Sequence, residues 1–405
     1  MTMTKVFHLF SPEYKSDPYG TLAYYREHDP VHAFQLERFD RPAWLITRYS
    51  DAVALLKDTR VTKDFRKLMS EEQLNEFNSI PEMELISNHM LAKDPPDHTR
   101  LRTLVHKAFT PKMISDLRGR IQEIANELLD KMAMKQEVDL LNEYAFPLPM
   151  TVISEMLGIP EKDREQFRMW SNVIIDVSNK EEQQEANPYI KEFVNYLEKL
   201  IEERKERPQS DLVSGLALVE EEGEKLTKNE LYSMIFLLII AGHETTVNLI
   251  GNGTLALLEH PDQLEKLRAQ PELIQTAVEE LLRYTNPVEF ATFRMANEDF
   301  DLHGKKIKKG DAIMIGIASA NRDPSCFENP DSLDLTRKSN QHIAFGFGIH
   351  YCLGAPLARL EGQIAINSLI QRFPEMCLNA SIEELKWRSS LILRGLVELP
   401  VKLWG

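Results

Sequence analysis

The strongest limit on the fold is a long stretch with no helix stop. Thr227-Lys-Asn-Glu230 has the spacing of a capping box, in which a hydroxyl and a carboxylate satisfy the first free backbone donors of a helix. The next stop is Glu259-His260-Pro261, so the spacing predicts one helix of about 30 residues, roughly 45 Å long at the standard rise. Apolar side chains occur on every side of it around Ile235 to Ile240, which predicts that its middle lies at the centre of the protein. A core must be built around it. The chain has 405 residues, 43% of them hydrophobic and 27% charged, which is enough apolar material to do so.

Most of the remaining periodicity is also helical. Asp51 to Lys57, Thr99 to Ala108, Pro111 to Met134 and Pro147 to Leu157 carry apolar residues three and four apart. Glu161 to Val177 and Pro188 to Arg204 read as two amphipathic helices joined by a polar stretch, Ser178 to Asn187, a pair that could move as a lid. Pro261 and Pro271 sit where first-turn prolines open two further helices. Extended patterns are confined to two places. Val31 to Leu36 and Ala43 to Arg48, separated by Arg38 to Pro42, resemble a hairpin in a first 50 residues that otherwise mix short extended patterns with turns. Phe290 to Ala296, Phe300 to Lys306 and Ala312 to Ile317 follow, with turns at His303-Gly304 and Lys309-Gly310-Asp311. The reading is a mainly α fold with a small β region near residues 30–50 and 288–320, organised as a single domain over 1–405.

Composition removes several functions. A net charge of −15 excludes nucleic acid as the main partner, because phosphate contacts need clustered Lys and Arg. Only three cysteines occur, Cys326, Cys352 and Cys377, with no spacing that suggests a disulfide framework. Met1 to Phe10 lacks the apolar core of a signal peptide, and the strongest apolar run, Met234 to Ala241, falls short of the ~20 residues that span a bilayer. These features predict a cytoplasmic protein with no membrane anchor; a monomer is the expected state.

The chemistry concentrates around Cys352, in Phe345-Gly-Phe-Gly-Ile-His-Tyr-Cys-Leu-Gly-Ala-Pro-Leu-Ala-Arg359. Gly346 and Gly348 permit a tight bend, and Gly354 lets a flat object approach the main chain. Pro356 begins a helix, so Cys352 lies just before a helix N-terminus, where unpaired N–H groups favour a thiolate. No second Cys or His stands at zinc-finger spacing, whereas a single axial thiolate suits haem iron. Cys326 and Cys377 have no such context and read as small buried hydrophobes.

A second cluster lies inside the long helix. Ala241-Gly-His-Glu-Thr-Thr246 places an acid beside an alcohol in an apolar helix, where such groups are costly unless they have partners or a task. Gly242 weakens the helix there and would allow a local opening. Thr245 could hydrogen-bond dioxygen or an ordered water while Glu244 relays protons; the plain alternative is that Thr245 bonds back to a helix carbonyl and Glu244 meets a surface cation.

Phe345, Gly348, Cys352 and Gly354 match F-x-x-G-x-x-x-C-x-G, the haem loop of the cytochrome P450 family, and the chain resembles that family over nearly its whole length, most closely the soluble bacterial members that tailor polyketides and macrolides. The resemblance implies the cytochrome P450 fold, with haem b between the long central helix and the helix after the cysteine. It implies Cys352 as the iron ligand and Phe345, Gly346 and Gly354 as haem contacts. Glu244 and Thr245 match the family's A-G-x-[DE]-T-T segment and imply dioxygen activation with external electrons; His243 receives no ligand role. Glu280-Leu-Leu-Arg283 matches E-x-x-R, an ion pair that locks a buried helix to the meander, here around Asn329 to Arg337. Haem propionates, as buried carboxylates, need cationic donors, and the matching positions are His98, Arg102, Arg294 and His350, with His98 and Arg102 one turn apart on one helical face.

By the same resemblance the substrate pocket is lined by Met83, Ile86, Met90, Ile240, Ala241, Val288, Phe290, Ala291, Leu391 and Ile392, an apolar set suited to a lipophilic small molecule. The expected reaction is hydroxylation or epoxidation of a polyketide, macrolide, fatty acid or terpenoid. No flavin or iron–sulfur motif is present, so electrons are expected from a separate ferredoxin or flavodoxin with its reductase, docked on the cysteine side near Arg100, Lys107, Lys112 and Arg359. On the residues alone two other classes stay open, a haem protein that binds gas without turnover and a helical binding protein without haem.

Overall fold

The computed structural model describes residues 8–36, 41–78, 87–175, 180–221 and 223–404. Backbone contacts divide the chain into two compact units, one of Met1–Val61, Arg118–Pro149 and Glu244–Gly405, the other of Thr62–Leu117 and Met150–His243. The long helix spans Lys228–Glu259, 32 residues, and continues from the second unit into the first. Its capping box is formed: the Thr227 N–H donates to Glu230 Oε2 at 2.9 Å and the Glu230 N–H to Thr227 Oγ1 at 3.3 Å. By length and apolarity it could cross a membrane, but 72% of its most apolar window is buried within the protein, as befits a core helix.

The first unit holds the sheets and the helix that follows Cys352. Val31–Phe34 pairs antiparallel with Ala43–Ile46, which pairs parallel with Ala312–Ile315, which in turn meets Arg294–Ala296 antiparallel. All four residues of Ala312–Ile315 are buried, as a strand covered on both faces requires. Phe300–Leu302 and Lys305–Ile307 form a hairpin with His303 and Gly304 both at positive φ (50° and 77°), the two-residue turn that matches strand twist. Ile46, Ile313 and Ile315 of these strands pack with Leu55 in one core cluster, while Leu249, Leu257, Leu281 and Ile366 join the long helix to Ile274–Thr285 and Ala355–Arg372.

In the second unit, Arg164–Ile175 and Lys180–Glu206 are fastened by an aromatic cluster. Phe167 and Phe193 have ring centroids 5.4 Å apart and Trp170 and Tyr196 5.5 Å, while the Tyr196 hydroxyl donates to Asp163 at 3.0 Å. Residues 176–179, the end of the first expected helix and the start of the expected polar tip, lie outside the described residues.

Five expectations need correction. Residues 8–30 are not extended: Pro12–Ser16 and Pro18–His28 are helices, the first capped by Ser11, each opened by a proline. The polar stretch before Pro188 is already helical from Lys180, because Glu, Gln and Ala favour a helix strongly enough to carry it through one internal proline. Pro111 to Met134 divides into Pro111–Asp116 and Arg118–Met132, with Leu117 closing the first helix by tight-turn bonds to Ile114 and Ser115. Finally, only Arg294–Ala296 of the Phe290 to Ala296 stretch is a strand, and Pro271–Leu273 is a tighter turn leading into Ile274–Thr285.

Candidate active site

The loop around Cys352 closes upon itself. The Gly346 N–H donates to the Ile343 carbonyl at 2.8 Å, the Tyr351 N–H to Gly348 at 3.0 Å and the Cys352 N–H to Phe345 at 2.9 Å. Gly346 and Gly348 both have positive φ, 72° and 76°, and a Cβ at Gly348 would stand 2.8 Å from the Leu56 carbonyl oxygen, so both space and dihedral demand glycine there. Gly354 has ordinary dihedrals as the cap residue of Ala355–Arg372, and the space beside it is open: a Cβ there would meet only the Cys352 sulfur, at 4.0 Å, an ordinary contact. Cys352 itself is exposed. His350 ends the short turn Gly348–His350 and is half-buried.

The loop is braced from behind. Phe345 is half-buried and its ring lies under the Arg359 guanidinium, 4.5 Å from it. Arg359 donates twice to Glu279, at 2.7 and 2.8 Å, and once to the Tyr351 hydroxyl at 3.2 Å, while His342 meets the same carboxylate at 3.1 Å. Burial works to raise the Glu279 pKa, but the hydrogen bonds from His342 and Arg359 outweigh it and hold the carboxyl down at about 2. Arg359, expected on a docking face, is therefore committed to holding the loop. Of the other cations in that set, Arg100 pairs with Glu230 of the capping box, and Lys112 forms a surface pair with Asp116 at 2.8 Å that leaves its side chain exposed. Lys107 is exposed.

Deeper in the same unit lies the E-x-x-R pair. Arg283 and Glu280 are both fully buried and joined by two 2.8 Å bonds. Arg283 also donates to the carbonyls of Asn321, Pro330 and Ser332, at 3.0, 2.6 and 3.0 Å. Glu280 accepts from Arg337, the Asp334 N–H and Asn340. One ion pair thus anchors the 321–337 meander at four backbone groups, the carbonyls of Asn321, Pro330 and Ser332 and the Asp334 N–H.

On the long helix, Glu244 is 1% exposed and forms an ion pair with Arg388, whose side chain is 27% exposed. Thr245, next in sequence, is half-buried. His243 turns back onto its own helix, with Nδ1 2.9 Å from the Ile239 carbonyl oxygen. The helix runs unbroken through Gly242, contrary to the local opening expected there; the missing side chain instead makes room for Ile153, whose Cδ1 would lie 3.1 Å from a Cβ. Glu361, on Ala355–Arg372, is wholly buried with neither carboxylate oxygen hydrogen-bonded, and desolvation pushes it up to about 8, the Thr246 hydroxyl offsetting only a small part of that rise. Glu361, Glu279, His342 and Arg388 were missed from the sequence, since no local pattern marks them.

The remaining expected contacts fall as follows. His98 is buried on Asp97–Ala108, and its pKa is lowered by burial and by Arg102, one turn away. Arg294 is buried and donates to the Thr292 carbonyl at 3.2 Å. Val288, Ala291, Leu391 and Ile392 are half-buried on two segments joined by the Val288–Leu393 bridge and by the Glu289 and Phe290 N–H groups, which donate to Ile392 at 2.8 and 3.2 Å. Phe290 offers a ligand no surface: it is 0% exposed, with Phe10 5.7 Å from its ring in a core cluster that includes Tyr14 and Leu45. Ile240 is half-buried, Ala241 exposed and Met90 buried, while Met83 and Ile86 lie outside the described residues.

This donor set fits haem. Among the described residues no three His, Cys, Asp or Glu side chains gather to cage a metal, so an ion held by Cys352 must bring its other ligands with it, as porphyrin iron does. The glycine beside the sulfur leaves space for a flat macrocycle.

Comparison with known proteins gives the same answer. The family described as Cytochrome P450 matches residues 19–390. The polyketide biosynthesis cytochrome P450 PksS of Bacillus subtilis (strain 168) is 52% identical over 98% of both chains, and its solved structure superposes with a TM-score of 0.93 over 99% of this chain and 100% of that one. A myxobacterial cytochrome P450, CYP267B1 in complex with myristic acid, is 42% identical with a TM-score of 0.92, covering 98% and 99% of the two chains. The cytochrome P450 monooxygenase PikC of Streptomyces venezuelae is 43% identical over 96% of this chain and 92% of its own. The chain belongs to the cytochrome P450 family. It is a haem b monooxygenase that draws electrons from outside its own chain and oxidises a lipophilic small molecule.

Proposed function

We propose that Cys352 would hold the haem iron through its thiolate, that Glu244 and Thr245 hold and move the protons that oxygen activation needs, and that the substrate is a polyketide or long-chain acyl compound hydroxylated or epoxidised in the cytoplasm. The observation that carries this reading is a buried carboxylate, Glu244, beside a half-buried alcohol, Thr245, on the long helix, in a chain whose exposed cysteine lies in a closed glycine loop. Haem, when bound, supplies the iron that binds dioxygen and accepts electrons.

The chain's own groups do the rest. Phe345, Gly346 and Gly354 would hold the haem beside Cys352, and His98, Arg102, Arg294 and His350 would answer its propionates. Glu244 stays desolvated yet connected to water, because its partner Arg388 is partly exposed, so a proton can pass along that edge to the carboxylate and then to the Thr245 hydroxyl. Val288, Ala291, Leu391 and Ile392 present apolar surface to the substrate, with Ile240 and Ala241 on the long helix. The acyl or polyketide assignment is supported by the names of PksS and by the myristic acid held in CYP267B1.

The electron donor is a ferredoxin or flavodoxin with its reductase, taken up by a monomer. Phe347, Ile349 and Tyr351 are exposed around the cysteine, and Lys57 lies 4.4 Å over the Phe347 ring, so apolar contact with a nearby cation supports docking there.

The test combines spectroscopy and coupling. Cys352→Ser is expected to remove the red-shifted Soret band of the reduced carbon monoxide complex, while Cys326→Ser and Cys377→Ser leave it. Thr245→Ala is expected to keep that band and to divert electrons from product to peroxide by about tenfold or more. An unchanged ratio of peroxide to product would remove Thr245 from the proton path.

A further inference from the structure

A buried ionic knot stands behind the proposed substrate wall. Glu289 lies between Val288 and Phe290, 0% exposed, and takes the Tyr14 hydroxyl on one oxygen and the Lys15 ammonium on the other at 2.8 Å. Tyr14 is fully buried and the Lys15 side chain is 4% exposed. Arg394 donates to the Lys15 carbonyl at 2.6 Å, places its guanidinium 3.6 Å from the centre of the Trp387 ring, and gives its own carbonyl to Asn252 of the long helix at 2.8 Å. The backbone completes the tie: the Arg394 N–H donates to Pro287 at 3.1 Å and the Ala318 N–H to Glu289 at 3.0 Å. Helix Pro12–Ser16 thus supplies both side-chain partners of the Glu289 carboxylate, Lys15 from 274 residues away, and residues 392–394 are tied by backbone bonds to Lys15 and to residues 287–290.

Such a pair is a costly way to gain stability. Desolvating two charges consumes most of their attraction, and apolar residues of similar size often serve as well. What an ion pair with fixed hydrogen bonds adds is direction, because it holds its backbone at one distance and angle where a greasy contact would let it slide. The two backbone segments so held carry Val288, Ala291, Leu391 and Ile392, all half-buried, while Phe290 and Glu289 point into the core.

We infer that the Lys15–Glu289 pair, with Tyr14, is a positioning lock that sets the apolar wall at Val288, Ala291 and Ile392 and so selects the shape of the substrate. The inference rests on the proposed assignment of those residues to the substrate wall. Glu289 touches no substrate and takes no part in the proton path. The lock also ties the N-terminal helix, remote in sequence from the haem loop, to substrate selection.

The haem-loaded full chain provides the readout through two azoles that both ligate iron, imidazole, too small to reach the wall, and clotrimazole, whose bulk must fit against it. Lys15→Met/Glu289→Met removes both charges together, leaving no stranded ion, and is expected to keep haem and a melting temperature near wild type. The ratio of clotrimazole to imidazole affinity is expected to change by about fivefold or more. A ratio within about twofold of wild type, alongside an Ala291→Phe variant that does change it, overturns the lock and leaves the wall assignment standing. An Ala291→Phe variant with the wild-type ratio overturns the wall assignment and the lock with it. Should the double variant fail to fold, Tyr14→Phe removes a single hydroxyl and carries the same test, with a shift of about twofold supporting the lock and no shift overturning it.

Discussion

Glu279 and Glu361 belong to the same unit, and burial pushes both toward the neutral acid, yet they end at about 2 and about 8. Glu279 lies behind the cysteine loop and receives His342 and two bonds from Arg359. Glu361 lies among the apolar residues between Ala355–Arg372 and the long helix, where Thr246 offers it only a hydroxyl. Partners, rather than depth, decide which carboxylate is ionised. The two surroundings are suited to different work. The cysteine side is a charged, cross-braced frame that fixes one sulfur in place, and the side facing the long helix is a sparsely polar seam where a proton can be held or moved.

If the cysteine side is a frame, breaking its deepest brace should have the largest effect. Glu280→Ala strands a fully buried Arg283 guanidinium and releases the bonds to Arg337, the Asp334 N–H and Asn340. The expected loss is about 3–5 kcal/mol of folding stability, read from urea unfolding of the haem-loaded protein. A loss below about 1 kcal/mol would mean that the meander is held by something other than this pair.

A smaller effect should come from the seam. The folded-state pKa of Glu361 is raised, so between its unfolded value near 4.5 and about 8 the folded protein holds a proton that the unfolded chain has released. Stability from this group is therefore fully present below about 4.5 and falls as pH rises toward 8. At about 1.4 kcal/mol per unit, the decline between pH 5 and 8 amounts to at most about 4 kcal/mol. Glu361→Gln, which keeps the neutral amide at every pH, should flatten that decline in thermal melts; an unchanged slope would place the titration elsewhere.

The same contrast governs what was legible in the sequence. The cysteine loop could be read because its bonds join residues within about ten positions of one another, Gly346 to Ile343 and Cys352 to Phe345, so spacing and glycine placement carry the geometry. The long helix was legible for a related reason, since a capping box and a proline mark its ends. The partner of Glu244 was not: Arg388 is 144 residues away in a stretch without periodicity. Nor could the resemblance that placed Phe290 on the pocket tell which way its ring faces, because Val288 and Phe290 form isolated bridges to Leu393 and Gly316 rather than a regular strand. Arg359 looked like a surface cation because a single charged residue after a helix start is compatible with either role, and only the position of Glu279 decides between them.

The smallest expected effect returns to Glu279. Arg359→Lys keeps the charge but replaces a planar fork that matches the carboxylate with a single ammonium, so one of two parallel bonds is lost. The cost at neutral pH should be about 1 kcal/mol, as the side chains are partly solvated. Its pH signature is opposite to that of Glu361. A carboxylate with a depressed folded pKa contributes stability that is present above its unfolded value near 4.5 and is lost as pH falls toward about 2. Weakening its partner raises the folded pKa, so the variant should lose less stability on acidification than the parent does, and the two melting curves should converge below about pH 3. The window above 4.5, where Glu361 acts, should keep its slope. If Arg359→Lys changed the slope there instead, the two carboxylates would be coupled, and the division between a fixed frame and a proton-handling seam would fail.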